Sequence, residues 1–526
     1  MATGAELGYQ TNASALAMAE TIFGDGVNVL TASYTGDSRS SAIYSNGDAL
    51  APGATPGDTG VIFSTGRVTN YTRSSGDPNR SGSTSTNTRG QDNNADFNAA
   101  AGARTYDASY LDVSFETDED TNFLTMQFVF ASEEYPEYTN SLYQDFVGVW
   151  VNGNFVELGV GNGDTDPGNL NSTSNQNLFL DNTGDAFNTE MDGLTVTLTL
   201  TMNVIPDAVN TIRIGIADVT DNRYDSNLLI AADSVQGGFV ALADSTTLFP
   251  TGTKDLDVLA NDASNSGGTL TITHINNVAV SAGDIVNLST GQSVQLNPDG
   301  TLKIIGNGDI EDFNFTYTAT NGTNTDTGFV EVSSIPCFVA GTLIKTQQGE
   351  IPVEQIMPGD LVMTQDDGYQ PVRWAGTRTV RAEGNFAPIH IRANTFGTHR
   401  DLMVSPQHRV LVRDAVAELL FGEGEVLVAA KDLVNDRSVL RRPGGEVTYV
   451  HVMFDRHQVI YSEGLATESF LPGPQSTKLF EQPIIEEICS IFPELDPLTG
   501  GGYSSAARPT LRSYEGRLLA NPERVA

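Results

Sequence analysis

The sequence predicts a mostly β protein, built from two β-sandwich modules and a third all-β domain that ends in a short helical tail. Three observations lead to this fold class. Short runs of residues alternate between apolar and polar, the stretches between them are rich in Gly, Asn, Asp, Ser and Thr, and the composition changes abruptly at Cys337. A period of two places apolar side chains on one face of a strand, and turn-forming residues separate successive strands.

Charge is distributed unevenly along the 526 residues. Residues 1–336 hold ten Arg or Lys and 42 Asp or Glu, a net charge of −32, whereas residues 337–526 hold 18 and 24, a net of −6. The chain is too long for a single hydrophobic core. A pI near 4.2 argues against nucleic acid or an anionic membrane as partner, because both would repel the chain. It favours a salty, calcium-containing exterior.

The first residues lack the basic and apolar segments of a signal peptide, and no apolar run approaches the roughly 18 residues that span a bilayer. The two cysteines, Cys337 and Cys489, are too far apart in sequence to suggest a disulfide framework. We therefore expect an extracellular or cell-surface protein that has no membrane span and no recognisable N-terminal signal peptide. Cys489 lies in an apolar stretch and is expected in a core.

The first module, residues 1–237, is predicted to be an antiparallel sandwich. A helix is expected near residues 14–23, because Leu16, Ala19, Ile22 and Phe23 fall on one helical face. The clearest strands are expected at residues 128–130, 146–151 and 194–200.

Two acidic loops follow strands of this module, ASEEYPEY (131–138) and ADVTDNRYDS (217–226). Together with FVF (128–130) and DFVG (145–148), they resemble the choice-of-anchor L domain of bacterial surface proteins. Such a domain would act as an adhesin with a surface glycan or a protein as its ligand. Carboxylates bunched on loops suit Ca²⁺, although a solvated acidic surface explains them equally. The candidate calcium ligands are Glu133, Glu134, Asp145, Asp218, Asp221 and Asp225.

The second module, residues 240–334, is predicted to be a smaller β-sandwich. Its short strings at residues 257–262, 269–273, 299–302 and 313–318 resemble a cadherin-like or VCBS-type repeat of large bacterial surface proteins. This module is expected to act as a spacer.

Cys337 begins the third domain directly after Pro336. A thiolate at this position can attack the preceding carbonyl and convert the peptide bond into a thioester. That shift is uphill, because amide resonance is lost, and it therefore needs an oriented bond, an oxyanion donor and an acid for the departing amine. The stretch SPQH places the hydroxyl of Ser405 three residues before His408, at the start of an apolar run. His451, Asp455 and His457 follow around a predicted tight hairpin at residues 449–460.

These three blocks, CFVAGTLI (337–344), SPQH and residues 449–460, resemble the Hint (Hedgehog/intein) domain. The resemblance implies a horseshoe-like, all-β autoprocessing domain over residues 335–480. It implies that Cys337 forms a thioester with Pro336 and that His408 strains the bond and protonates the amine. Ser405 would orient the bond or hold the oxyanion. Ser405 stands where the family usually has Thr, which keeps the hydroxyl but loses a methyl group that restricts χ1.

Which of His451, Asp455 and His457 assists resolution of the thioester is left open by the sequence. No Asn followed by Cys, Ser or Thr closes the domain, since Asn521 is followed by Pro522. One-sided cleavage at the bond between Pro336 and Cys337 is therefore expected instead of splicing. Residues 481–526 are predicted to be a helical extension, with helices near residues 479–492 and 507–519.

The sequence therefore predicts a single-turnover, autocatalytic protein whose substrate is its own polypeptide. The thioester would pass to water, a thiol or a surface group, and cleavage would need no cofactor. Calcium is expected, if anywhere, in the acidic first module. The alternative is a structural adhesin whose Hint-like domain is inactive.

Overall fold

The computed structural model describes residues 2–119, 121–139, 141–161, 163–248, 253–265, 267–307, 313–333, 337–382, 387–413, 417–418, 424–435, 437–470, 504, 506–511, 516 and 519. The protein is mostly β, as the sequence predicts. Contacts divide the chain into two compact units. The first comprises residues 1–244, 256–302 and 313–331, and the second comprises residues 245–255, 303–312 and 332–526.

The elements before residue 239 are β1 (Gly8–Gln10), α1 (Ala15–Ile22), β2 (Val27–Thr35), β3 (Ser41–Ser45), α2 (Gly47–Leu50), β4 (Gly60–Ser64), α3 (Ala95–Ala101), β5 (Thr105–Thr117), β6 (Phe123–Ser132), β7 (Phe146–Val151), β8 (Asn154–Phe155), β9 (Phe179–Asp181), β10 (Gly193–Thr195), β11 (Leu198–Asn203), β12 (Val209–Val219) and β13 (Ser226–Ala231). Those of residues 239–333 are β14 (Phe239–Val240), β15 (Asp244–Thr247), β16 (Thr253–Leu256), β17 (Ala263–Ser264), β18 (Thr271–Ile275), β19 (Val278–Ala279), β20 (Ile285–Asn287), β21 (Ser293–Leu296), β22 (Leu302–Ile305), β23 (Phe313–Thr320) and β24 (Thr325–Ser333).

The C-terminal domain contains β25 (Phe338–Val339), β26 (Leu343–Thr346), β27 (Gly349–Pro352), β28 (Leu361–Thr364), β29 (Gly368–Pro371), β30 (Trp374–Arg381), β31 (Ile389–Ile391), β32 (Leu402–Val404), β33 (Arg409–Val412), β34 (Val426–Ala429), β35 (Val439–Arg441), β36 (Glu446–Met453), β37 (Val459–Ser462) and β38 (Leu465–Glu468). Short 3₁₀ turns lie at Val68–Asn70, Gln176–Leu178, Val353–Gln355 and Ala430–Leu433.

The first module is a sandwich of two antiparallel sheets. One sheet has the order β1-β3-β4-β13-β6-β10-β9, with β11 also paired to β6, and the other has the order β2-β5-β12-β7-β8. Phe63, Phe128 and Leu228 of the first sheet are buried in one cluster with Phe115 and Ile214 of the second. The sequence alternates because each strand turns one face toward this shared core.

Helix α1 confirms the helix predicted near residues 14–23. It begins after Ser14, whose side chain accepts a hydrogen bond from the backbone N–H of Ala17 and so satisfies one free donor of the first turn. Ala19 and Ile22 are buried against the sandwich, whereas Leu16 is 42% exposed. An eight-residue helix presents only a narrow stripe to the core, so Leu16 lies at the edge of the apolar face.

Of the four strings that support the second module, residues 271–273 and 313–318 lie in strands β18 and β23. Residues 257–262 and 299–301 form turns and loops instead, and β22 begins at Leu302. The backbone N–H of Leu259 donates to the side chain of Asp257, and the backbone N–H of Leu242 donates to that of Asp262. Both aspartate side chains thus accept backbone hydrogen bonds, which favours a turn over a strand. β18 pairs with β19 and β23, and β20 pairs with β21, all antiparallel.

Most of the second module packs with the first in one unit. Asp326 of β24 is fully buried at this contact. It accepts hydrogen bonds from Thr199 Oγ1 at 3.2 Å and from the backbone N–H of Ala241 at 2.9 Å. Gln127 Nε2 lies 3.5 Å from the same carboxylate. The two modules thus share buried polar contacts, which hold them more rigidly than a linker would.

The C-terminal domain consists of two sheets around one core. One has the order β30-β36-β25-β32-β31-β35, and the other has the order β27-β26-β28-β37-β38-β33-β34 with β29 on β28. Phe338 and Val450 of the first sheet and Val410 and Ile460 of the second are buried in this core.

The hairpin predicted at residues 449–460 does not form. β36 pairs with β30 along its whole length, whereas β37 pairs with β38, so the two strands lie in different sheets. Phe454, in the segment that connects these two strands, is 1% exposed and packs in the core. As a result, His451 and His457 occupy different environments.

The tail is described only in part. Residues 507–511 are not helical: Leu427 N–H donates to Pro509 O, and Leu511 N–H donates to Leu427 O, so this segment runs beside β34. Gly516 and Leu519 are helical. The helix predicted near residues 479–492 and the predicted core residue Cys489 lie outside the described residues.

We expect Asp326→Ala to lower the free energy of unfolding of the first unit by about 1–3 kcal/mol, because three donors lose their buried acceptor. Chemical denaturation of the full chain, carrying Cys337→Ala to keep it intact, would measure the change. Glu119→Ala removes an exposed carboxylate and serves as the control. Equal stability of the two variants would contradict a structural role for Asp326.

Candidate active site around Cys337

The position of Cys337 follows from the pairing of β25 with two neighbours. Phe338 pairs with Val404 of β32 on one side and with Val450 of β36 on the other, both antiparallel. One residue earlier in β25 corresponds to one residue later in each partner. Cys337 therefore lies beside Ser405 and His451, two residues that the sequence predicted for the site.

Ser405 and Cys337 exchange two hydrogen bonds. The backbone N–H of Cys337 donates to Ser405 Oγ at 2.8 Å, and the backbone N–H of Ser405 donates to the carbonyl of Cys337 at 2.9 Å. The first of these bonds holds the amide of the bond that joins Pro336 to Cys337. Pro336 itself lies outside the described residues.

His451 contacts the thiol of Cys337. Its Nε2 lies 3.4 Å from Sγ, which is hydrogen-bond distance for sulfur. The imidazole is stacked against Trp374 and meets Phe470 edge-on, with ring centroids 6.4 Å and 5.6 Å away. Cys337 and His451 are each only 6% exposed. A buried pair of this kind can move the thiol proton to the imidazole and leave a nucleophilic thiolate.

His408 follows Ser405 in a tight turn, because its N–H donates to the carbonyl of Ser405. Its ring packs on Phe338, with centroids 4.2 Å apart, and neither ring nitrogen has a hydrogen-bond partner among the described residues. The side chain is 2% exposed, and burial lowers the pKa of His408 to about 4. A protonated His408 is thus a strong acid next to the residue that follows Cys337.

His457 belongs to a second buried group. Its Nδ1 accepts a hydrogen bond from Ala507 N–H at 2.9 Å, and its Nε2 lies 3.1 Å from the carbonyl of Ser469 and 3.5 Å from Glu468 Oε2. Glu468 also accepts from the backbone N–H of Arg409. His457 is therefore engaged in this group, whereas His451 reaches the thiol.

Asp455 lies on the surface. Its side chain is 61% exposed and pairs with Arg373 at 3.0 Å. Sequence reasoning missed Trp374 and Phe470, which contact His451, and Glu468, which lies next to His457. The alternation of Tyr449, His451 and Met453 in β36 was the one available signal, but it did not identify partners that are distant in sequence.

The predicted calcium ligands fall into separate groups. Asp145 N–H donates to Glu134 Oε2 at 2.9 Å, and Asp145 lies near Asp218 at the end of β12. Glu133 lies near Asp192, and Asp225 accepts hydrogen bonds from Thr86 and Asn70. Asp221 accepts from the backbone N–H of Arg223. Among the described residues, no three carboxylate, His or Cys side chains converge closely enough to hold a metal ion.

Asp145 and Asp218 are nevertheless unusual acids. Both are at most 3% exposed, and Asp145 Oδ2 and Asp218 Oδ1 accept no hydrogen bond from any described residue. Burial raises the pKa of Asp145 to about 8, and burial together with the charge of Asp145 raises that of Asp218. Burial also raises the pKa of the neighbouring Glu134 to about 10. These groups hold protons that exposed carboxyls would release.

Two family models match the chain. A Hint domain matches residues 336–474, and a choice-of-anchor L domain matches residues 9–236. These matches confirm two of the three resemblances found in the sequence, those to the Hint domain and to the choice-of-anchor L domain, and they indicate a self-processing domain in a surface-associated protein. The described part of the chain contains no helix that is both long and apolar enough to cross a lipid bilayer.

Solved structures similar to the chain include inteins. A bacterial intein-like domain from Clostridium thermocellum is 19% identical, covers 26% of this chain and 98% of its own, and has a TM-score of 0.19. The gp41-1 intein is 15% identical, covers 25% of this chain and 97% of its own, and has a TM-score of 0.17. No match was found among curated proteins.

The first module should lose stability as pH rises. A raised carboxyl pKa in the folded state means that unfolding releases a proton above about pH 4, so stability falls by about 1.4 kcal/mol per pH unit for each proton. The loss should extend from about pH 4 to the raised pKa of Asp145, about 8. Denaturation midpoints across this range would show a steeper slope for the parent than for Asp218→Asn. The control is Asp207→Asn, which changes an exposed carboxylate; identical slopes for all three proteins would contradict the assignment.

Calcium binding by these acids stays a prediction of the sequence. If a cation replaces the protons, Ca²⁺ should raise the melting temperature at pH 8 and a chelator should reverse the gain, because a ligand bound only to the folded state stabilises it. Scanning calorimetry with and without chelator would measure this. Asp218→Asn should remove the gain, and an unchanged melting temperature in the parent would exclude the site.

Proposed function

We propose that this chain, which carries a Hint domain and a choice-of-anchor L domain, cleaves its own polypeptide before Cys337 by an N-to-S acyl shift. The observation that carries the proposal is the arrangement around Cys337. Its thiol lies 3.4 Å from His451 Nε2, and its amide N–H donates to Ser405 Oγ. The pairing of β25 with β32 and β36 thus holds the nucleophile, the base and the amide of the substrate bond together.

In the first step His451 takes the proton of the thiol, and the thiolate attacks the carbonyl carbon of Pro336. The hydrogen bond from the Cys337 N–H to Ser405 Oγ fixes the orientation of the peptide group whose carbon–nitrogen bond is to break. Holding the reacting groups in place removes much of the entropic barrier. The apolar surroundings of His451 exclude water, which strengthens the Cys337–His451 interaction.

In the second step the bond between carbon and nitrogen breaks, and the departing amine of Cys337 takes a proton. His408 is the group we assign to this proton transfer. Its buried ring has no hydrogen-bond partner in the part of the chain that the structure describes, and its pKa is low, so its protonated form gives up the proton readily. The product is a thioester between Pro336 and Cys337.

The thioester then passes to water, a thiol or a surface nucleophile. This resolution releases or anchors residues 1–336, the acidic adhesin-like part, outside the cell or at its surface. The cadherin-like second module would travel with it, since most of that module lies in the same compact unit as the first. Each molecule reacts once, so the domain is autocatalytic and does not turn over. The competing proposal is an inactive Hint fold in a structural adhesin.

A denaturing gel separates these proposals. We expect the purified full chain to give two fragments divided at residues 336 and 337, with more cleavage after addition of dithiothreitol or hydroxylamine, because both attack thioesters. Cys337→Ala should stay intact. His451→Ala should cleave more slowly by about 10²–10⁴-fold, the usual contribution of a general base.

Asp455→Asn is the matched control, because Asp455 pairs with Arg373 on the surface. It should cleave at the parent rate. A parent chain that stays intact with both reagents, or a Cys337→Ala variant that is cut equally well, would rule out autoprocessing. Mass spectrometry of the larger fragment locates its last residue and tells hydrolysis from transfer.

A further inference from the structure

Glu468, the last residue of β38, is a fully buried carboxylate that exchanges no proton in the steps proposed above. Its Oε1 accepts a hydrogen bond from the backbone N–H of Arg409 at 2.9 Å. Its Oε2 lies 3.3 Å from Arg409 Nη1 and 3.5 Å from His457 Nε2. Burial alone would raise the pKa of Glu468, but Arg409 and His457 lower it to about 2. The carboxylate is therefore ionised.

The charge of Glu468 is not cancelled completely. His457 accepts a hydrogen bond at Nδ1 from Ala507 N–H, which assigns its proton to Nε2 and makes the ring neutral. Arg409 is the cation in contact, and its side chain is 33% exposed, so water weakens its field. An ionised carboxylate inside a core is costly, and it calls for a role beyond stability.

Glu468 holds the backbone of His408. The N–H of Arg409 that it binds belongs to the peptide bond directly after His408, and β33 runs antiparallel to β38 through the pair Val410 and Thr467. On its other side, His408 is fixed by the hydrogen bond from its N–H to Ser405, and its carbonyl accepts from Ala430 N–H. These contacts hold the turn whose ring packs on Phe338.

Glu468 also acts on the ring of His408. The other titratable neighbours of this ring are His451 of β36, Arg409 of β33 and His457, and a positive charge on any of them disfavours a second one on the ring. Glu468 favours that charge. Since burial already disfavours the imidazolium, the negative charge of Glu468 is what opposes all of these effects.

We propose that Glu468 is the positioning residue of His408: it anchors the peptide that carries the ring and supplies the negative charge that lets the ring take up a proton. The inference rests on the proposed function. The thiol proton moves to His451, the sulfur–carbon bond forms, the carbon–nitrogen bond breaks, and the amine takes its proton from His408. Glu468 neither gains nor loses a proton.

The test compares thiol-induced cleavage of the full chain from about pH 3 to pH 9 in Glu468→Gln and in the parent, a range that includes the pKa of His408, about 4. Glutamine keeps the shape and can still accept from Arg409 N–H, but it lacks the charge. We expect cleavage at pH 7 to fall by about tenfold, which corresponds to one pKa unit of His408, and the alkaline limb of the profile to move to lower pH. Glu446→Gln, an exposed carboxylate on β36, should retain the parent rate and profile.

Glu468→Asp keeps the charge and should return the profile to the parent position even if its rate is lower. A merely structural role for Glu468 would reduce the rate of both variants without moving the alkaline limb. A Glu468→Gln profile identical to that of the parent, or a lower rate without any displacement, overturns the proposal.

If Glu468→Gln does not fold, as judged by circular dichroism, the proposal is tested in the Cys337→Ala chain itself. The ¹³C shift of the Glu468 carboxyl should report an ionised group from pH 5 to pH 8, and a protonated group in that range overturns the proposal. Failure of the underlying function looks different, because then the parent and Glu446→Gln do not cleave either.

Discussion

The double pairing of β25 is the constraint on which the candidate site depends. This strand has two residues, and Phe338 is bound on one side to Val404 and on the other to Val450. Antiparallel register then places Cys337 between Ser405 and His451 without any further adjustment. A shift of either neighbour by one residue would turn the hydroxyl or the imidazole to the opposite face of the sheet. The geometry of the thiol is therefore a property of strand register rather than of a flexible loop.

Burial acts on acids and bases in opposite directions, and this protein uses both. In the first module, no described cation lies beside Asp145 and Asp218 to offset burial, so the raised pKa of each keeps it protonated. In the C-terminal domain, Glu468 is equally buried but has Arg409 beside it, and its pKa is lowered. A neighbouring cation thus decides whether a buried carboxyl group stays neutral or carries a fixed negative charge. Chains as acidic as this one have few such partners to place.

Much of the fold could be predicted because its signals are local. Helix α1 and strand β7 lie where periodicity places them, and the short blocks around Cys337 and His408 identified the domain. The predicted hairpin at residues 449–460 was wrong because β36 and β37 are paired by strands distant in sequence, β30 and β38. Glu468 had no signal at all, since a single Glu at a strand end is ordinarily a surface residue. Local patterns do not show which strands pair with one another, and the site depends on that pairing.

The division of the C-terminal domain into two sheets has a chemical consequence for the proposed acyl shift. An acyl shift needs a base for the thiol and an acid for the amine, and two histidines in one environment would share one pKa and compete for the same role. Here His451 lies in the first sheet among aromatic rings, whereas His408 lies at the start of β33 in the second, within the field of Glu468. The thiol of Cys337 contacts His451, and the next residue, Phe338, packs against the ring of His408. The two-sheet architecture therefore separates the proposed proton acceptor, His451, from the proposed proton donor, His408.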